Sequence, residues 1–539
     1  MLIQLAKIFK KSDFSHCQKL IVAASGGGDS LALLFLLKDY FKILLSPPEI
    51  IVVTVDHQLR EESACEAQKV AEICRAYQIK HVIMRWEGTK PKTDISQKAR
   101  VARYDLLFQE AEKQGATLIM TGHTLNDQVE TYYMRCQRVL KDKAVSQQGG
   151  RGDEVFALRS EGGSFVSVEQ GDEAAGARCG VEVVGVLREG ERGDYNNTWE
   201  EMDVISPLKD TNVLKDNGEL IERGLSCIAR EALLRRKVRL IRPLLGIKRD
   251  TLRAYLRLRG IAWIDDPTND DLHFERVRVR RSIHFKNFSE VAQKVNEAAL
   301  KRRQYAQMIA DLILALDVVV EYGRCFIERP APFLCRHPGF PFVVGLFAVL
   351  MGGSSYLLAF QKLSALNQKL CFHSLEKKRF TLAGSLIEYS QKGIAFWREA
   401  RNIQEAIILP GQTLLWDGRY QITNHERDAL KVRAADLVHL KQFFRYGKYC
   451  SNTHIIKEGE VIRDMVDFEA MVDRKRPHFP SLQSLPLVLG AKGIDIPELS
   501  HLFCRHKVTV QRILAPFNWL SLREDAALIN VVEPFFNIT

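Results

Sequence analysis

None of the eleven cysteines in this 539-residue chain belongs to a C-x-x-C pair, and their spacing is irregular. That excludes a zinc or iron–sulfur framework built on paired cysteines, and it does not read as a disulfide scaffold. The cysteines read as thiols of a reducing compartment. The G-x-x-x-x-G-K-[ST] phosphate loop is also missing, so any nucleotide chemistry needs a different cradle. No uninterrupted hydrophobic run reaches membrane-spanning length. Pro338 to Gln361 carries no charge, but Gly352-Gly353-Ser354-Ser355 cuts it in the middle. Two buried helices with a Gly-Gly stop are expected there, and no membrane partner. The N-terminal MLIQLAKIFKKSDF lacks the long apolar core and cleavage site of a signal peptide, so a cytoplasmic location is expected.

Acidic charge is scarce over most of the chain. The net charge is +11. Residues 141–222 hold 12 glycines and 18 acidic against 9 basic residues. That segment therefore carries −9 and leaves +20 on the rest. A body this basic points to a polyanionic partner. The acidic, glycine-rich stretch reads as an insertion, with VEVVGVL at 181–187 as its one strand candidate.

Outside that insertion the N-terminal part is rhythmic. LIVAA at 20–24, IIVVTV at 50–55, HVIM at 81–84 and ATLIM at 116–120 read as buried strands. Helix-period segments lie between them, at 31–37, 62–77 and 95–114, and another follows at 125–140. This βαβα order implies an α/β fold with an open parallel sheet. EALLRRKVRLIRPLL and the segments to 285 read as helix-prone, and 286–370 as helical throughout. From 371 short runs bounded by turn residues suggest a smaller α+β C-terminal domain. The expected division is 1–285, with 141–222 inserted, then 286–370 and 371–539.

The chemistry concentrates where strands end. IVAASGGGDS at 21–30 runs a strand into three glycines and a helix. Glycines let backbone N–H groups turn onto an anion, and the helix start adds its positive end. Ser25 and Ser30 can donate to phosphate oxygens. Asp29 beside a phosphate makes sense if Mg²⁺ bridges the two. Asp127 and Glu130 are three apart and share a helix face. His57 and His123 both follow predicted strands, on the edge where such sheets bind ligands. Neither has partners at zinc-ligand spacing. Arg276, Arg278, Arg280 and Arg281 crowd within six positions, an arrangement suited to phosphate contact.

Ser25-Gly26-Gly27-Gly28-Asp29-Ser30 resembles the SGGxDS signature of the PP-loop ATP pyrophosphatases, whose sheet is of the adenine nucleotide alpha hydrolase type. Later motifs narrow the resemblance to the tRNA(Ile)-lysidine synthetases. Val55-Asp56-His57-Gln58-Leu59-Arg60 is similar to their VDHxLR element, and Ala99-Arg100-Val101-Ala102-Arg103-Tyr104 to their ARxxRY helix. Thr121 to Thr131 is similar to GHxxDDQxET, with Asn126 where the first Asp of the pair stands. Arg242-Pro243-Leu244-Leu245, Trp263 to Asn269 and Phe274-Glu275-Arg276 are similar to further family elements, and Arg223 to Ile228 to the family's RGLxGM stretch.

The resemblance implies an enzyme that uses ATP and Mg²⁺ to adenylate the wobble cytidine of a CAU-anticodon isoleucine tRNA. Free L-lysine then displaces AMP. It implies Ser25 to Ser30, Asp56, His57 and His123 as nucleotide-binding residues. Asp29, Asp127, Glu130 and Arg103 are the implied catalytic residues, with Asp29 and Asp127 as metal ligands. Arg276, Arg278, Arg280 and Arg281 are assigned to tRNA. Assembly as a homodimer stays open. The alternatives carried beside this are a PP-loop tRNA thiolase and an inactive RNA-binding relative.

Overall fold

Leu20 and Val22 point to one side of their strand and Ile21 to the other, and this alternation organises the N-terminal sheet. In the computed structural model, which describes residues 4–148, 222–265, 271–283, 288–330, 332–369, 378–441, 478–500 and 505–536, the first strands are β1 (Lys19–Ala23), β2 (Glu49–Asp56), β3 (Lys80–Arg85), β4 (Leu118–Thr121), β5 (Glu231–Leu234) and β6 (Val238–Ile241). Across the sheet the order is a C-terminal strand, Leu520–Leu522, then β5, β6, β4, β1, β2 and β3. From β6 to β3 the pairs are parallel; β5 and the C-terminal strand add on antiparallel. The direction of winding reverses between β1 and β4, and the loops leaving these two strands diverge to frame a crevice.

The four expected strands of residues 20–120 stand within two residues of their expected ends, and so do the helices α2 (Ser63–Ala76) and α3 (Ile95–Gln114), whereas α1 (Gly28–Phe41) outruns the expected 31–37 at both ends and begins at the glycines. A further helix, α4 (Leu125–Gln148), follows β4. On one face Leu20 and Val22 bury with Leu31 and Leu34 of α1, and with Leu252 and Leu256 of α5 (Arg249–Leu258). On the other, Ile21, Ile51 and Ile119 bury with Tyr104 and Leu107 of α3.

Two expectations are corrected. EALLRRKVRLI is not helical but forms the hairpin β5–β6. Arg235 and Arg236 both adopt positive φ, 47° and 58°, giving the left-handed turn that hairpins prefer but that arginine rarely announces. Nor is 286–370 helical throughout. After α6 (Glu275–Ser282) and α7 (Phe288–Leu314), β7 (Val318–Glu321) and β8 (Arg324–Glu328) form a second hairpin about Tyr322-Gly323. α8 (Phe340–Gly352) is buried along its whole length and ends at Gly353, φ 75°. This is the expected Gly-Gly stop, and among the described residues no helix is long and apolar enough to cross a membrane.

The hairpin β7–β8 joins β9 (Lys378–Leu382), β10 (Ser385–Ser390) and β11 (Gly393–Arg398) in an antiparallel sheet over α8. Two smaller sheets follow, built from strands between Ala406 and Arg512. Met1–Arg135 with Leu214–Thr539 make one compact unit and Cys136–Val213 a second. VEVVGVL at 181–187 lies outside the described residues.

Candidate functional site

The loop after β1 is shaped by its small residues. Gly26 has φ 85°, and a Cβ there would lie 2.7 Å from Ile264 Cδ1. Ile264 N donates to Gly26 O at 2.9 Å, so the segment after α5 lies against the loop. Ser30 Oγ donates to Gly27 O at 2.9 Å and accepts from Ser25 N at 3.2 Å. α1 then starts with Gly27 as its N-cap and no side-chain cap, which leaves the helix start for an outside anion. From β4 the second loop approaches closely: a Cβ on Gly122 would sit 2.9 Å from Asp29 O.

Three carboxylates and three guanidiniums meet where these loops converge. Asp29 Oδ2 accepts from Arg249 Nε at 2.9 Å. Asp127 Oδ1 accepts from Arg276 Nη2 at 2.7 Å and from Arg249 Nη2 at 3.4 Å. Its Oδ2 accepts from Thr124 N and Oγ1 at 2.7 and 2.8 Å, a cap on the start of α4. Glu130, 2% exposed, accepts from Arg276 Nε at 2.6 Å and Arg280 Nε at 2.7 Å, with Arg249 Nη1 3.7 Å away. Burial raises the Asp29 carboxyl above its ordinary range despite Arg249. Burial would raise Asp127 too, but Arg276 foremost, then His123 and Arg249, outweigh it and hold it low.

Among the described residues no group of three or more His, Cys, Asp and Glu is arranged to hold a metal. Asp29 Oδ1, however, is buried with no hydrogen-bond partner. A hard cation shared with phosphate fits that oxygen, with Asp127 close by.

A second cluster lies behind the histidines. Burial pushes the Tyr104 phenol up, but Arg242, Arg100 and Arg103 more than offset this and bring it down to about 8. Arg242 Nη2 donates to Tyr104 Oη at 3.4 Å, and the guanidiniums of Arg100 and Arg103 stand 5.3 and 5.6 Å from the ring centre. Burial, with Arg103 nearby, lowers His57 to about 4. Burial, then Arg242, lowers His123 well below its ordinary value, and its Nδ1 is 2.9 Å from Thr121 Oγ1. Both rings are neutral near pH 7.

The amino-acid sequence aligns with the PP-loop domain family over residues 1–148 and 213–286, an ATP-binding domain. The gap between the two matched stretches, 149–212, lies inside the 141–222 segment, and the match ends at 286. Over its full length the chain is 58% identical to the tRNA(Ile)-lysidine synthase of Bartonella henselae, covering 99% of that protein. It is 54% identical over its full length to that of Bartonella quintana, again covering 99%. It is 32% identical over 422 residues to that of Brucella suis, 77% of each chain. The chain belongs to the tRNA(Ile)-lysidine synthase family.

Within that family frame the structure sorts the residues singled out in the sequence. Ser25 to Ser30, Asp127, Glu130, Arg276 and Arg280 come together. Arg276 and Arg280, one turn apart on α6, face inward to carboxylates. Arg278 donates instead to the carbonyls of Leu272 and His273, both at 2.8 Å, and Arg281 stands in the last turn of the same helix. Asp56 Oδ1 accepts from Gln58 N at 2.9 Å and Ser63 Oγ at 2.7 Å, fixing the turn into α2. Asn126 is explained by geometry: its Oδ1 accepts the backbone N–H of Arg249 at 2.9 Å, a bond that needs an acceptor and no charge. Asp266 to Asn269 lie outside the described residues.

Sequence reasoning missed Arg249 and Arg242 as site residues, although Arg242 was quoted in a motif. Arg249 opens α5 just after the RPLL stretch, a place where a basic residue carries no signal of its own. It also missed the brace beside the loop. Arg253 and Arg257 each stand 5.6 Å from the Trp263 ring centre, and Asp265 accepts from Arg253 at 2.8 Å and from Trp263 Nε1 at 3.2 Å.

Proposed function

We propose that this enzyme forms lysidine: it joins free L-lysine to carbon 2 of the wobble cytidine in a CAU-anticodon isoleucine tRNA, at the expense of ATP. The observation that carries the reading is the meeting of three carboxylates and three guanidiniums at the mouth of a glycine-built anion loop. The family supports the substrates; the roles below rest on position and chemistry.

The loop 25–30 and the start of α1 take the triphosphate. His57 and His123, neutral, line the nucleotide side without adding charge, and Asp56 shapes that wall. Oxygen 2 of the cytidine attacks the α-phosphorus and pyrophosphate leaves, which gives the adenylated base. Arg103 and its neighbours offset the charge that develops on the phosphates. Mg²⁺, held by Asp29 and Asp127, would neutralise the triphosphate and orient it.

Asp127 and Glu130 hold the ε-ammonium of lysine. Once a carboxylate has taken its proton, the neutral amine attacks carbon 2 and AMP leaves with the bonding pair. Glu130 is the assigned base, since it is the most buried of the three. Arg278 and Arg281, with the basic residues of 286–370 and 371–539, bind tRNA phosphates. The reaction is cytoplasmic.

The test combines purified protein, ATP with magnesium, labelled lysine and a CAU isoleucine tRNA transcript. Digestion and mass analysis are expected to give lysidine, with a methionine tRNA control blank. ATP turnover to AMP without lysine attachment would contradict the reading.

A further inference from the structure

Among the described residues the ion-paired charges around Asp127 balance: Asp29, Asp127 and Glu130 against Arg249, Arg276 and Arg280. A cation entering a matched cluster of low dielectric gains little unless one already there moves. The three arginines are not held equally. Arg276 and Arg280 make contacts of 2.6–2.7 Å to Glu130 and Asp127. Arg249 is tight only to Asp29, at 2.9 Å, and stands 3.4 Å from Asp127 and 3.7 Å from Glu130. Its guanidinium occupies the space between all three carboxylates, on the phosphate-loop side. Its backbone is fixed by Asn126, so its side chain can swing while the start of α5 stays in place.

We infer that the Arg249 guanidinium is a resident substitute for lysine: it fills the ammonium position between Asp127 and Glu130 in the ligand-free enzyme and leaves it when the triphosphate of ATP arrives at the loop. Resting on the lysine-ligating reading above, this adds an order of binding. The triphosphate brings negative charge beside Asp29 and attracts Arg249. Asp127 and Glu130 then lose one cation and accept another, the ε-ammonium. Lysine affinity is thereby coupled to nucleotide, and the coupling is reciprocal. The exchange moves one side chain and no covalent bond.

The experiment is calorimetric titration of L-lysine into the full-length protein. It is done with and without magnesium and an ATP analogue whose α,β-bridging oxygen is a methylene. Wild type is expected to bind lysine at least about tenfold more tightly with the analogue, within the usual span of such couplings. Arg249→Gln is expected to bind lysine without the analogue and to show a nucleotide effect below about threefold. Arg249→Lys, which keeps the charge, is expected to restore part of the dependence. In steady state Arg249→Gln should lower kcat while leaving or lowering the KM for lysine, a split that a merely structural loss would not give.

Equal lysine affinity with and without the analogue in wild type would overturn the inference. So would an Arg249→Gln protein of unchanged melting temperature that binds lysine in neither condition. Wild type that forms lysidine but shows no coupling loses this inference alone. Wild type that forms no lysidine loses the functional reading with it.

Discussion

Two arginine clusters flank the same crevice and are balanced in opposite ways. Around Asp127, three guanidiniums face three carboxylates. Around Tyr104, Arg100, Arg103 and Arg242 face a phenol, a backbone carbonyl and each other, and no carboxylate of the described residues pairs with them. The first arrangement is stable as it stands and admits a cation only by exchange. The second is held under positive charge, strongly enough to pull a buried phenol down to about 8. An anion relieves it. On the proposed function, the carboxylates of the balanced cluster receive the amine and the unbalanced arginines answer the charge of the phosphates.

The largest effect expected from breaking this division is at the hinge between the two. Asp29→Asn should lower tRNA-dependent AMP formation by about 10²–10³-fold with the fold intact, measured by AMP release beside a melting curve. Near-normal turnover would remove Asp29 from the phosphate side.

Next is the balanced cluster. Arg276→Met leaves Asp127 and Glu130 short of a cation. Losing one partner of a fully buried pair costs about 3–5 kcal/mol. The Arg276 side chain is 39% exposed, so screening reduces this to about 1–3 kcal/mol, read by denaturant unfolding. The basic cluster should respond differently. Arg100→Gln is expected to leave stability nearly unchanged, weaken polyanion binding, and reduce the salt dependence of tRNA affinity by about one unit of slope.

The paired strands and carboxylates were legible in the sequence because their signals are local. A continuous apolar strand, three glycines and a helix need no distant partner to be read. Asp127 and Glu130 announce a shared face by spacing alone. Arg249 was not legible, since its meaning comes from Asp29, 220 positions away, and Glu130. The hairpins failed for another reason. Their turns use Arg235-Arg236 and Tyr322-Gly323, where only one of four residues is a turn former, so helix propensity won the reading. Asn126, where the family motif has Asp, takes its meaning from the N–H of Arg249, 123 positions away.

Smaller effects sharpen that last point. Asn126→Ala removes the hydrogen bond that seats α5 and should cost about 1 kcal/mol, seen as a lower melting temperature. Asn126→Asp keeps the acceptor and should leave lysidine formation within about threefold. The histidine side gives a pH signature. His57 titrates near 4 in the folded protein, below its ordinary 6.5. Its contribution to stability is therefore present above about 6.5 and lost as pH falls toward 4. His57→Gln should flatten the melting temperature across that window and change little above pH 7.

The most direct test of the division compares two readouts on one variant. Glu130→Gln alters the balanced cluster and leaves Tyr104 and its arginines in place. With α-phosphate-labelled ATP and the CAU isoleucine tRNA, it is expected to transfer label to tRNA within about tenfold of wild type. In the same preparation it should attach lysine at least about 10²-fold more slowly. If label transfer and lysine attachment fall together by the same factor in a folded protein, the two pockets do not divide the reaction and the account is wrong.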